Sequence, residues 1–186
     1  MVVRIKSHWH GDDGEKSTEE IAGAIAYIIW RLAKDKAITL HGEDFIYDDD
    51  RQRMDVIIEY VIFMLNITDR LASVQFSLDD EYRTKLILEA TKKLAAHVYG
   101  NSQDLFGEGD HIGPFVNLLN QRGGEYAESN YTEDGPSYPF IRHFGYCVQQ
   151  VMGESQENRW VIDQVMYKDG PAVVKDITRS IENLFE

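Results

Sequence analysis

Three groupings of side chains in this sequence have types and spacing suited to chemistry. His8, His10 and Asp12 stand at alternate positions, two imidazoles followed by a carboxylate, and these are ligands that zinc and similar divalent metals take. His143 precedes Cys147 by one helical turn, which would place imidazole and thiol on one face of a helix, the arrangement of a nucleophile and its base. Glu59 interrupts the run Val56-Ile57-Ile58-Glu59-Tyr60-Val61-Ile62-Phe63-Met64-Leu65. A carboxylate buried there must find a partner or stay protonated. The expectation is an exposed or salt-bridged Glu59 and a Cys147 that packs in an apolar stretch, which leaves the N-terminal cluster as the candidate metal site.

His-x-His-x-Asp after the apolar stretch Val2 to Ile5 is similar to the ligand loop of the metallo-β-lactamase fold, and Gly109-Asp110-His111-Ile112-Gly113 is similar to a second fragment of that signature. The likeness covers a handful of residues. That family carries a histidine where Asp13 stands, and its two-sheet sandwich conflicts with the helical pattern of the remaining chain, so no family membership follows. A carboxylate-bridged di-iron bundle is excluded on spacing, since it needs Glu-x-x-His and the residues three before His97 and His143 are Leu94 and Phe140. The phosphate-binding, dinucleotide-binding and nucleophile-elbow glycine motifs are missing. Asp104, Glu108, Asp110 and His111 offer acid–base groups without a distinguishing spacing.

A different kind of site is suggested by Tyr131, Tyr138, Phe140 and Tyr146 around Pro136 and Pro139. Tyrosine joins a broad apolar face to a polar tip and is favoured at recognition surfaces. The competing reading is that these rings pin a loop to the core.

Composition narrows the function classes. Acidic residues number 32 against 19 basic, a net charge of −13, which repels phosphate backbones and anionic membranes. Solubility, attraction to a basic partner or imitation of a nucleic acid are the roles left for that charge. Cys147 is the single cysteine, so no internal disulfide can form and a reducing compartment is expected. The N-terminus lacks the apolar core of a signal peptide, and the run around Glu59 is shorter than the roughly 20 apolar residues a membrane span needs. These features point to a cytoplasmic protein.

The elements that must position these groups read as helices. Ser17-Thr18-Glu19-Glu20 has the form of a capping box, followed by Ile21, Ala24, Ile25, Ile28, Ile29 and Leu32 at helical spacing. Asp48, Asp49 and Asp50 suit the start of a second helix whose apolar residues leave almost no face for water. Ser77 or Asp79 caps a third, ended by Gly100-Asn101. Residues 101–138 hold six glycines and two prolines and read as a long irregular loop with one short helix after Pro114. A helix through Phe140, Phe144, Cys147, Val148 and Val151, a short helix from Trp160 and a last one opened by Pro171 complete the chain.

The sequence therefore predicts a single all-α domain, a bundle of about six helices with one long glycine-rich loop and at most a short N-terminal strand. The function expected is binding or regulation through protein–protein contacts, as a homodimer that covers the second helix, with Trp30, Phe63 and Trp160 as core or interface anchors and without nucleic acid, membrane or resident cofactor. The alternatives are a metal-binding protein or metal-dependent hydrolase using His8, His10 and Asp12, and an acidic nucleic-acid mimic.

Overall fold

The computed structural model describes residues 16–185. His8, His10, Asp12 and the expected strand at Val2 lie outside the described residues. The rest is an all-α bundle: α1 (Thr18–Gly42), α2 (Asp50–Val74), α3 (Asp80–Phe106), α4 (Ile112–Ala127), α5 (Tyr138–Met152), α6 (Val161–Gln164) and α7 (Gly170–Phe185). A π-helical turn at Val165–Asp169 joins α6 to α7 without a break, which leaves six helical rods. The described strands are two-residue pieces, Tyr131–Thr132 paired antiparallel with Gly135–Pro136.

Local chemistry sets the helix starts. The Ser17 hydroxyl accepts from the Glu20 amide and the Glu20 carboxylate accepts from the Ser17 amide, the reciprocal box read from sequence. Asp49 caps α2 through the Gln52 amide, and Asp79 rather than Ser77 caps α3.

The centre of the molecule is α2, which packs against α1, α3, α4, α5 and α7. Tyr60, Val61, Ile62, Phe63 and Met64 are all fully buried. The Phe63 ring stacks on Phe144 of α5 at 3.9 Å between centroids, and Tyr60 meets the same ring edge-on at 4.8 Å. Tyr126 of α4 and Phe140 of α5 complete the aromatic core at 4.6 Å from each other. Since α2 is wrapped by its own chain, its greasiness no longer calls for a second copy.

The expected loop over 101–138 is corrected. Helix α3 passes Gly100-Asn101 and reaches Phe106, because Asn101 turns its amide back onto the His97 carbonyl and Ser102 faces the interior. Helix α4 then occupies 16 residues of the remainder. Its first turn is held by Asp110, whose carboxylate accepts from the amides of Ile112 and Gly113. Burial of Phe115 and Tyr126 offsets the low helical preference of Gly123 and Gly124.

Two close approaches fix the far side of α5. A Cβ on Gly145 would stand 2.7 Å from the Met166 side chain and 3.2 Å from the Ile162 carbonyl, so only glycine lets α5 lie this near α6 and the π turn. Asn158, almost fully buried, bonds both the amide and the carbonyl of Ile46 and ties the α5–α6 turn to the segment before α2.

Gly145→Ala should therefore lose roughly 1–3 kcal/mol in urea unfolding, the range for overpacking a filled interior. Gly123→Ala, a helical position with open space around the added carbon, should gain up to about 1 kcal/mol.

Candidate functional site

The structure gathers its polar interior where α2, α4 and α5 meet. Glu59 of α2 is 1% exposed and takes three hydrogen bonds from the Arg122 guanidinium of α4, the shortest at 2.8 Å. Arg122 also reaches Glu125, one turn further along α4, with Nη1 at 2.8 Å from Oε2. The same Glu125 oxygen stands 2.9 Å from His143 Nε2 of α5, and that nitrogen is 3.4 Å from the Cys147 sulfur. A chain of ionisable groups thus runs Glu59–Arg122–Glu125–His143–Cys147, buried at both ends and partly exposed at Glu125 and His143.

The electrostatics follow from burial and from these bonds. Burial alone would favour loss of the Arg122 proton, but hydrogen bonds to Glu59 and Glu125 outweigh it and hold the guanidinium charged. Burial opposes ionisation of Glu125, yet bonds from Gln121 and Arg122 win and keep its carboxyl below the ordinary glutamate range. The Cys147 thiol is pushed up to about 12 by burial, with the charge of Glu59 adding to the effect. A thiol in that state is a poor nucleophile despite the adjacent imidazole.

Tyr126 closes the cluster from within. Its ring meets His143 edge-on at 4.9 Å. Its hydroxyl is buried without a hydrogen-bond partner, in the field of Cys147, Glu59, Arg122 and Glu125. Among the described residues, Glu125, His143 and Cys147 are the group of three whose ligand atoms lie within 4.8 Å of one another.

The outward side of α5 has another character. Tyr138, Tyr146, Trp160 and Tyr167 are each more than half exposed, and no other described phenylalanine, tyrosine or tryptophan is. Tyr146 is also one wall of a cleft of about 330 Å³, whose other lining residues are Pro139, Arg142, His143 and Ile162. His143 is therefore shared: its ring nitrogen points to the cluster and its flank to the cleft.

The predicted site residues separate accordingly. Tyr138 and Tyr146 lie on the exposed face. Phe140 is fully buried and is corrected to a core residue. Tyr131 is half-buried with its ring edge-on to Phe140 at 6.0 Å, so it pins the small hairpin to α5. His111 and Asp110 are engaged in local turn contacts, the histidine through the Gly107 carbonyl. Trp30 and Phe63 are buried, whereas Trp160 is 58% exposed. The His143–Cys147 pair was visible from its spacing. Glu125 and Arg122 were missed; their three-residue separation was a usable signal only if residues 112–127 were recognised as helix.

No protein-family model, curated protein or solved structure matches this chain. No helix of the described residues is long and apolar enough to cross a membrane.

The buried thiol gives a direct test of the geometry. With chelator present and in mildly alkaline buffer, Cys147 should stay unlabelled by Ellman's reagent in the folded protein and react stoichiometrically once unfolded. Rapid labelling of the native protein would place the thiol at the surface.

Proposed function

We propose that this chain is a binding protein that acts through protein–protein contacts made by the outward face of α5 and the α6–π segment, and that the occupant of this face is a second copy of the chain. The observation that supports the reading is the concentration of exposed rings there, Tyr138, Tyr146, Trp160 and Tyr167. Aromatic residues and arginine dominate the energetic centres of interfaces. The π turn contributes by projecting Tyr167 beside Tyr138, with which it shares a hydrogen bond, and π turns recur at functional positions.

Charge selects the partner. The face carries Arg142 and Arg159, the latter with its guanidinium 5.2 Å from the Trp160 ring centre, and it also carries the exposed Asp163. A surface holding both signs can complement itself across a two-fold axis. The partner suited to arginines and aromatic rings is an acidic one, and a second copy of this chain is acidic.

Two copies of charge −13 repel at long range, and salt screens that repulsion. Sedimentation velocity at micromolar concentration should show a dimer that tightens as salt is added. Trp160→Ala with Tyr146→Ala should loosen it by about tenfold or more. A monomer at both low and high salt would overturn the reading, and binding to a basic protein that weakens with salt would replace it.

A further inference from the structure

We infer that Glu125, His143 and Cys147 form a binding site for one divalent cation of the zinc type, with the carboxylate, the imidazole Nε2 and the thiolate as its three protein ligands. This inference is independent of the aromatic face. It rests first on the convergence of donor atoms. His143 Nε2 faces Cys147 Sγ at 3.4 Å and Glu125 Oε2 at 2.9 Å. One ring nitrogen carries at most one proton, so it can donate to the carboxylate or accept from the thiol, but it cannot do both. A cation at the meeting point satisfies all three atoms together.

The three ligand atoms lie within 4.8 Å of one another, and the two separations at His143 are close to what such an ion requires. Ligand atoms held tetrahedrally at about 2.0–2.3 Å from zinc stand roughly 3.3–3.7 Å from one another. The sulfur–nitrogen separation already falls in that range; the nitrogen–oxygen contact has to open by a few tenths of an ångström. Imidazole, thiolate and carboxylate together suit zinc better than magnesium or calcium, which favour all-oxygen shells.

Two further observations point to a ligand here. The Tyr126 hydroxyl is 1% exposed at the residue level, has no hydrogen-bond partner and lies in the field of Cys147 and Glu125. A site of three protein ligands keeps a fourth position for water, and a water there gives this orphan hydroxyl its partner. Charge also balances. On binding, the thiol proton leaves to solvent; the doubly charged ion and Arg122 then offset the Cys147 thiolate, Glu125 and Glu59. Arg122 and Glu59 are the outer pair that holds Glu125 in place, the role such neighbours play around metal ligands.

Cobalt(II) titration of the chelator-stripped 186-residue chain tests the assignment, because cobalt bound to a thiolate shows a sulfur-to-metal charge-transfer band and intense visible bands. The expected result is saturation at one equivalent, reversal by zinc, loss of the charge-transfer band in Cys147→Ser, and about tenfold or greater weakening in Glu125→Gln. His8→Ala with His10→Ala should leave the band unchanged, which separates this site from the N-terminal histidines. Should Cys147→Ser misfold, Glu125→Gln and His143→Ala, both on partly exposed positions, carry the test. Absence of the band in the parent protein, its persistence in Cys147→Ser, or its loss in the His8/His10 variant would overturn the assignment.

Discussion

The carboxylate of Glu59 is the constraint around which the second half of the molecule is arranged. It sits on the helix that buries more residues than any other described helix, 1% exposed, where an uncompensated charge costs several kcal/mol. Arg122 answers it with three hydrogen bonds. For the guanidinium to arrive there, residues 112–127 must be a helix laid against α2 despite two adjacent glycines and a proline. Once α4 is in place, Glu125 follows one turn later, and it meets His143 and Cys147 presented by α5. The cluster is therefore a consequence of neutralising a buried charge.

The inner and outer sides of α5 show how one helix can serve two purposes. Phe140, Phe144, Cys147 and Val148 are buried against α2, while Tyr138, Arg142 and Tyr146 lie on the solvent side at four-residue intervals. His143 stands at the boundary. Gly145 allows α6 and the π turn to approach closely, and that approach carries Trp160 and Tyr167 to the aromatic face. The polar cluster and the exposed rings are thus separated by the thickness of one helix.

What the sequence disclosed was mostly local. The Ser17–Glu20 box, the helix start at Asp48 to Asp50 and the apolar run of α2 around Glu59 are short-range signals, and the structure agrees with each, with Asp49 as the cap. Helix α4 was legible only at its start, as a short helix after Pro114; its continuation through Gly123 and Gly124 was hidden because propensity there is poor and stability is tertiary, with Phe115, Arg122 and Tyr126 contacting residues outside the helix. The overrun of α3 past Gly100 depends on Asn101 and the buried Ser102, and nothing local marks the π turn. The site divided in the same way. His143 and Cys147 share a helix and could be paired by counting, whereas Glu125 and Arg122 join them only through the packing of α4 on α2.

A double-mutant cycle on Glu59 and Arg122, read by urea unfolding, addresses the central claim most directly. The account predicts that Arg122→Leu costs about 3–5 kcal/mol because it leaves Glu59 buried and unpaired. Adding Glu59→Leu should recover much of that loss, giving a coupling of about 2 kcal/mol or more. If Arg122→Leu cost less than about 1 kcal/mol, or the two losses simply added, the ion pair would not be what holds α4 against α2.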